Sequence, residues 1–273
     1  MPKKKIVPSS APAIAHPPNG KPAPSFFDVQ PSWTGRGTEP NKPSRIAQWV
    51  CSADRCTPQT ETFTENINWR IFRIMAEFVE GFEFLSKIER AVTVFGSARV
   101  TESNKYYQTA KELGMLCGKN GFTMITGGGP GIMEAANWGA HDSGGDSIGL
   151  DISLPSEQRR NEFVKQAMGF HYFFTRKVML SASAQAYVFF PGGFGTLDEL
   201  FEMVSLIQTR KMSDQVPVIL VGASYWKPML DWIKKTIWEE NRFIEKPDIL
   251  IFNVVDTAKA AFDIIKKTKE RGL

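Results

Sequence analysis

The feature that most constrains the fold is an alternation of short apolar runs with segments of helical periodicity. The runs AVTVF (91–95), FTMIT (122–126), AYVFF (186–190) and VPVILVG (216–222) contain no charged residue. Runs of this kind are typical of strands that are buried on both faces. Because helical segments separate them, we expect an α/β fold, a doubly wound parallel sheet with helices on both faces.

Weaker signals extend this alternation in both directions. SIGLDISL (147–154) and ILIFNVV (249–255) read as further strands, and HYFF (171–174) as a short strand or extended piece. Ahead of the first strand, apolar residues recur at steps of three and four, as they do on one face of a helix. This stripe predicts an N-terminal amphipathic helix over about 64–88, with Thr64 as its cap.

The first 60 residues differ in composition from the rest of the chain. Eleven of the 17 prolines fall within residues 1–58, and residues 1–60 hold eight Lys/Arg against three Asp/Glu. We therefore expect residues 1–60 to be a Pro-rich, basic, flexible tail, and residues 62–273 to be a single domain. The remainder is close to neutral, which argues against a nucleic-acid partner for the folded part. Binding of nucleic acid through the basic tail stays open as an alternative.

Cysteine and histidine usage excludes several classes of site. The cysteines, Cys51, Cys56 and Cys117, form no CxxC pair and lie near no histidine cluster, so neither a metal site nor a disulfide framework is expected. No apolar run approaches the ~20 residues that cross a bilayer. We expect a cytoplasmic protein without a membrane partner.

Three strand ends carry small residues. Gly96-Ser97-Ala98 follows the first run, GGGPG (127–131) the second, and PGGFGT (191–196) the run AYVFF. Parallel sheets bind ligands at the carboxyl ends of their strands, so all three turns should lie on one edge. Glycine backbone and helix N-termini together suit a phosphate. No GK[ST] follows, which excludes a Walker A loop, and the GxGxxG pattern of dinucleotide sites is not met.

Two charged residues flank the third turn. Thr196 and Glu199 have the spacing of a capping box, so Glu199 has a structural interpretation as a helix cap. Arg176 is expected near the start of the preceding helix, where a cation opposes the helix dipole. A nearby anion would explain that placement. The predicted topology puts Arg176 and Glu199 at the same edge of the sheet, one strand apart.

Four segments together resemble one family. GSAR (96–99), TGGGPGIMEAANWGA (126–140), Arg176-Lys177 and PGGFGTLDE (191–199) are similar to the LOG ("Lonely Guy") family, which has long carried the misleading label "lysine decarboxylase". LPSEQRRN (154–161) resembles a segment of its longer, bacterial-type members. The likeness covers about residues 65–265 and implies a Rossmann-like domain.

The resemblance also implies an activity. Family members hydrolyse the N-glycosidic bond of cytokinin riboside 5′-monophosphates, bacterial relatives often also that of AMP, and they work as dimers or larger assemblies without a metal or redox cofactor. The catalytic pair would be Arg176 and Glu199. A small-molecule nucleotide would be held by Gly127, Gly128, Gly129, Gly131, Gly192, Gly193, Gly195 and Thr196, with Ser97, Arg99, Glu134 and Lys177 as further candidate contacts.

Elementary chemistry agrees with this assignment. Glycosidic cleavage passes through an oxocarbenium-like state, which a carboxylate such as that of Glu199 stabilises while orienting water. A decarboxylase would need a lysine in the context of a pyridoxal phosphate site, and no such lysine is seen. The alternative to the enzyme is a nucleotide-binding or carrier protein that uses the same phosphate cradle without turnover.

Overall fold

A sheet of seven parallel strands organises the part of the chain that the computed structural model describes, residues 67–152 and 160–270. The strands are β1 (Ala91–Phe95), β2 (Thr123–Thr126), β3 (Ser147–Ile152), β4 (Gln166–Phe170), β5 (Ala186–Phe189), β6 (Val218–Val221) and β7 (Phe252–Val255). Their order is β4-β3-β2-β1-β5-β6-β7, and every neighbouring pair is parallel. The predicted fold class is confirmed.

Helices cover both faces of this sheet. They are α1 (Ile67–Leu85), α2 (Lys105–Lys119), α3 (Ile132–Asp142), α4 (Phe173–Ala182), α5 (Phe194–Gln208), α6 (Ala223–Trp232) and α7 (Ala258–Ile265). A π-helical stretch (Ile233–Glu240) continues α6, and a 3₁₀ turn (Lys246–Ile251) precedes β7. Two apolar clusters result. One contains residues of α1, α4, α5 and α6, and the other contains residues of α2, α3 and α7.

The central strand β1 shows why the apolar runs become strands of such a sheet. Ala91 and Phe95 pack into the first cluster, whereas Val92 and Val94 pack into the second. Successive side chains of a strand point to opposite faces, so a strand with a helix layer on each side is apolar at most positions. The buried polar residue of β1, Thr93, shares a hydrogen bond with Ser183 Oγ (2.7 Å).

The prediction fails at the edge strand. HYFF (171–174) was expected to be extended, but β4 ends at Phe170, and Phe173 and Phe174 open α4. β4 (QAMGF) includes a glutamine and a glycine, and its first four residues are exposed or half-buried because it has a neighbour on one side only. It therefore lacks the apolar run that identifies the central strands.

Some expectations fall on residues that the structure does not describe. These are the tail, residues 1–60 with Cys51 and Cys56, the cap at Thr64, and most of LPSEQRRN (154–161). Within the described residues, the N-terminal helix begins at Ile67 and ends at Leu85, three residues short of the expected end.

Candidate functional site

The three small-residue turns meet at the point where the order of strands reverses. β1 lies between β2 and β5, so the chain builds outward from β1 in both directions. Ser97, after β1, donates its N–H to Pro191 O (3.0 Å), and its own carbonyl accepts the N–H of Ile132 (3.1 Å). Ser97 thus ties the turn after β5 to the turn after β2. Crevices of this kind are the usual ligand sites of open parallel sheets.

The turn after β2 is packed against protein atoms. Gly128 and Gly131 both have φ of 72°, which side-chain-bearing residues rarely adopt. A Cβ on Gly128 would stand 1.9 Å from Asp151 Oδ1, and one on Gly131 would stand 2.4 Å from the Ser97 carbonyl oxygen. A Cβ on Gly127 would stand 2.3 Å from Arg176 Nη2. The backbone conformation of the loop requires glycine at positions 128 and 131, and Gly127 leaves room for the Arg176 side chain.

Two buried asparagines hold this turn, and sequence reasoning missed both. Asn161 Nδ2 donates to the carbonyls of Gly128 (3.1 Å) and Gly129 (3.0 Å) and to Asn137 Oδ1 (3.1 Å). Asn137 Oδ1 also accepts from Thr126 Oγ1 (2.6 Å). The signal available was Asn137, a polar residue on the otherwise apolar buried face of α3. Asn161 lies in a loop and had no local signal.

The turn after β5 is open, whereas the turn after β2 is closely packed. α5 begins at Phe194 with Gly193 as its N-cap, and no side chain caps it. A Cβ on Gly193 or Gly195 would meet no atom within 4 Å. The carbonyls are taken by protein donors, since Ser97 N–H binds Pro191 O (3.0 Å) and the Tyr225 hydroxyl binds Gly192 O (2.5 Å). The first N–H groups of α5 have no partner within the helix, as at any helix start.

The capping-box interpretation of Glu199 is wrong. Thr196 is the third residue of α5, not its N-cap, so Glu199 lies too far into the helix to reach back to the cap. The Thr196 side chain instead covers Gly192, where a Cβ would stand 2.1 Å from Thr196 Oγ1. The glycine at position 193 allows the helix to begin earlier than the sequence pattern suggested.

Glu199 is a buried acid with an unpaired oxygen. Its side chain belongs to a residue only 8% exposed, and Oε2 has no hydrogen-bond partner among the described residues. Burial raises the pKa of Glu199 to about 7. The positive charges of Lys177 and Arg176 oppose this rise, and the negative charges of Glu202 and Asp198 add to it. A carboxyl group that titrates near neutrality in a crevice is suited to proton transfer or to stabilising a developing cation.

Arg176 reaches the crevice from α4. Its Nε donates to the carbonyl of Leu150 in β3 (2.7 Å), and its guanidinium passes over Gly127. Burial lowers the pKa of Arg176, and the carboxylates of Glu199 and Asp151 oppose this shift. A cation near a helix start is expected to have an anion close by. The protein itself supplies these anions, the carboxylates of Glu199 and Asp151.

The path by which Arg176 arrives differs from the expected one. β4 and β5 follow each other in the chain, but β3, β2 and β1 lie between them in the sheet. The connection through α4 crosses these three strands, so the expectation of strands one apart is wrong. The charge of Arg176 still interacts with that of Glu199, because the long Arg176 side chain extends over β3 and the turn after β2.

Asp151 is a second acid in the crevice, and no local sequence pattern singles it out. Arg160 Nε donates to its Oδ2 (2.5 Å), while Oδ1 is buried without a hydrogen-bond partner among the described residues. This oxygen lies beside Gly128. Asp151 and Glu199 thus present one unsatisfied carboxylate oxygen each, and Arg176 interacts with both acids.

The further candidate residues are distributed around this centre. Lys177 Nζ pairs with Asp198 (2.7 Å) and Glu202 (3.3 Å), which fastens α4 to α5. Glu134, in the first turn of α3, accepts from the Tyr107 hydroxyl (2.9 Å). Ser97 Oγ accepts the N–H of Arg99 (3.1 Å), and the Arg99 side chain is exposed.

A larger groove lies away from these groups. Its volume is about 1310 Å³, and residues 213–217, 242–245, 247–248 and 250–251 contribute to its lining. This groove lies at the amino ends of β6 and β7, opposite the edge where parallel sheets bind ligands. The convergent charged groups and the free helix start are at the carboxyl edge, which is therefore the candidate site.

No helix within residues 67–152 and 160–270 has the length and apolar character to cross a membrane. No group of three or more His, Cys, Asp or Glu side chains there is arranged to hold a metal ion.

The chain is similar in sequence to one family model and to several proteins of known name. Residues 133–265 match the family model described as "Possible lysine decarboxylase". A cytokinin riboside 5′-monophosphate phosphoribohydrolase of Arabidopsis thaliana is 28% identical over 187 residues, 68% of this chain and 84% of that protein. The resemblance to the LOG family is confirmed.

Other LOG-family relatives come from rice and from a bacterium. A rice (Oryza sativa subsp. japonica) enzyme of the same name is 30% identical over 156 residues, 56% of this chain and 64% of that protein. One from Rhodococcoides fascians is 26% identical over 148 residues, 53% of this chain and 74% of that protein. Hydrolase activity of this general kind is what these LOG-family matches support.

Two solved structures are similar to this chain at low identity and with TM-scores below 0.5. A molybdenum cofactor carrier protein from Chlamydomonas reinhardtii has a TM-score of 0.49 at 20% identity, covering 65% of this chain and 96% of that chain. DNA processing protein A from Streptococcus pneumoniae has a TM-score of 0.46 at 14% identity, covering 68% and 63%.

Proposed function

We propose that this protein hydrolyses the N-glycosidic bond of adenine-type nucleoside 5′-monophosphates, including cytokinin riboside monophosphates and AMP. The products are the free base and ribose 5-phosphate. The observation that carries the proposal is the buried, unpaired carboxylate oxygen of Glu199, with a pKa raised to about 7, in a crevice that also holds Arg176. The names of the LOG-family relatives support it.

Glu199 has the properties that the chemical step requires. Water attacks the anomeric carbon while the bond from that carbon to the base nitrogen breaks, and the sugar passes through an oxocarbenium-like state. In its ionised form, the Glu199 carboxylate stabilises the developing positive charge and accepts a hydrogen bond from the attacking water. The base leaves with its bonding electrons and takes up a proton, and the water supplies the hydroxyl of ribose 5-phosphate.

The turn after β5 is suited to the 5′-phosphate. The N–H groups of Phe194, Gly195 and Thr196 stand at the positive end of α5, and Gly193 and Gly195 leave the approach free of side chains. The turn after β2, with Gly127–Gly131, forms the floor beneath the ribose. We assign Arg176 to orienting Glu199 or the sugar phosphate, since its Nε is fixed by Leu150 O and its Nη atoms are directed toward the crevice.

A substrate panel tests the proposal. The full chain is incubated with AMP and with an N6-substituted AMP, and free base and ribose 5-phosphate are quantified by chromatography. The proposal predicts that both products appear in equal amounts, and the ratio of kcat/KM for the two nucleotides identifies the preferred base. Measurable nucleotide binding without base release contradicts the enzyme and supports a carrier.

We further propose that two copies of the chain associate through α1 and α4. Both helices expose large apolar side chains: Trp69, Ile71, Phe72, Met75, Val79 and Phe82 on α1, and Phe173, Phe174 and Val178 on α4. Exposed apolar surface of this extent marks an interaction site. Sedimentation of the full chain is expected to show a dimer or larger assembly, and a Val79→Glu/Phe72→Glu double variant a monomer. A monomeric wild-type chain would contradict the proposal.

A further inference from the structure

The first turn of α4 is held by a carboxylate from another helix. Tyr172, the N-cap of α4, makes no side-chain capping bond. Instead Glu77 of α1 accepts the N–H of His171 (2.8 Å), the N–H of Tyr172 (3.4 Å) and the hydroxyl of Thr175 (2.6 Å). In a capping box the acid that binds the N-cap N–H belongs to the same helix. Here Glu77 fills that role from a distant part of the chain.

Glu77 is buried, so its hydrogen bonds are important for stability. The residue is 7% exposed, and a buried carboxylate is costly unless its oxygens are bonded. Both oxygens of Glu77 have partners, and Arg73 Nε lies 3.9 Å from Oε1. The negative charge also stands at the positive end of α4, where the helix dipole favours it. The contact therefore fixes the start of α4 against α1.

Arg176 follows Thr175 directly and points to the other side of the same turn. Thr175 is fully buried and turned toward Glu77, while Arg176 Nε binds Leu150 O in β3. The turn is thus held from two sides, by α1 and by the sheet. The angle at which the guanidinium enters the crevice depends on both contacts.

We infer that Glu77 is a positioning residue, which fixes the first turn of α4 so that Arg176 lies over Gly127 and opposite Glu199. This inference rests on the proposed function. Glu77 and the whole of α1 precede residues 133–265, the part that matches the family model. In this inference α1 contributes to the candidate site through Glu77, in addition to packing against the sheet.

Isosteric variants test the contact. Glu77→Gln keeps the shape but removes the charge and replaces one of the two oxygens that accept backbone N–H groups by a donor, and Thr175→Val removes the hydroxyl. With AMP as substrate, each is expected to lower kcat about tenfold with KM changed less than about threefold, because Arg176 is misdirected in the transition state. Thr175→Ser restores the hydroxyl and should stay within about twofold of wild type. Glu80→Gln, an exposed acid on the same helix, is the charge-matched control.

A double-variant cycle separates positioning from general stabilisation. If Glu77 acts through Arg176, Glu77→Gln has less than about a twofold effect in an Arg176→Ala background. The same tenfold loss in both backgrounds, or an unchanged kcat in the single variant, overturns the inference. Amide hydrogen exchange at His171 and Tyr172, expected to accelerate in Glu77→Gln while β5 stays protected, shows that the variant folds.

Failure of the proposed function gives a different pattern. If the wild type binds AMP but releases no base, the dissociation constant for AMP replaces kcat in the same cycle. Weakening by Glu77→Gln in the wild-type background but not in Arg176→Ala then supports the positioning role, and equal or absent weakening overturns it. A wild type that neither binds nor cleaves AMP contradicts the proposed function and the positioning role together.

Discussion

The turns after β2 and β5 have similar sequences, GGGPG and PGGFG, yet their glycines are needed for different reasons. In the first turn, the positions that side chains would occupy are filled by Arg176, Asp151 and the Ser97 carbonyl. In the second, Gly193 and Gly195 face open space and have ordinary backbone angles. The turn after β2 is closely packed, and the turn after β5 has room for a ligand.

The difference shows that a glycine run does not by itself identify a phosphate site. From the sequence, both turns are predicted to bind the nucleotide for the same reason, the absence of side chains. The structure supports this reason only for the turn after β5, where a side chain at position 193 or 195 would contact no protein atom. For the turn after β2, close packing is a sufficient reason for glycine.

The largest expected effect is on stability in the closed turn. Gly131→Ala forces a side chain into φ of 72° and to 2.4 Å from a backbone oxygen, so we expect a loss of about 3 kcal/mol or more. Gly195→Ala, inside a helix with open space around it, should raise stability by about 0.5–1 kcal/mol. Urea unfolding of both variants measures this. Equal destabilisation would remove the distinction between the two turns.

A second prediction concerns the asparagines beneath the closed turn. Asn161→Ala leaves the buried carbonyls of Gly128 and Gly129 without their side-chain donor, and it should lower the free energy of unfolding by about 2–3 kcal/mol. Asn241→Ala removes an exposed bond to the Thr236 carbonyl and should cost less than about 1 kcal/mol. The comparison fails if the two variants unfold at the same urea concentration.

A third prediction follows from the pKa of Glu199, which burial raises from its ordinary value of 4.5 to about 7. Between these values the unfolded chain loses the proton and the folded chain keeps it, so this group lowers stability as pH rises through that window. Glu199→Gln should therefore be more stable than wild type by about 3 kcal/mol at pH 8 and nearly equal to it at pH 4. A difference that is constant with pH would contradict the raised pKa.

The smallest effect is expected on ligand affinity in the open turn. A methyl group in Gly195→Ala obstructs the approach of a phosphate to the first N–H groups of α5, and the dissociation constant for ribose 5-phosphate should rise about tenfold, or ~1.4 kcal/mol. Thr196→Val tests the hydroxyl in the same way, with Thr196→Ser as its control. Unchanged affinity in Gly195→Ala, measured by calorimetry, would place the phosphate elsewhere.

Local patterns predicted those parts of the fold whose causes are local. The apolar runs of β1, β2, β5 and β6 identified strands, because both faces of each strand are covered. β4 was missed, since an edge strand needs no such run. The capping box at Thr196 and Glu199 was a false local signal, because Gly193 lets α5 begin earlier.

The residues that shape the site from a distance had no local signal. Asn161 acts on a turn more than 30 residues earlier, and Glu77 acts on a helix nearly 100 residues later. The crossing of α4 over three strands also depends on the strand order, which the sequence pattern leaves open. Such contacts become visible only when the chain is folded.

The most direct test of the central claim is the rate of AMP hydrolysis by Glu199→Gln. The variant keeps the size of the side chain but removes its charge, and Glu112→Gln, an exposed acid on α2, serves as the control. We expect kcat/KM to fall at least about 100-fold in Glu199→Gln and to stay within about twofold in Glu112→Gln. A Glu199→Gln enzyme that cleaves AMP within about fivefold of the wild-type rate would contradict the catalytic role of Glu199.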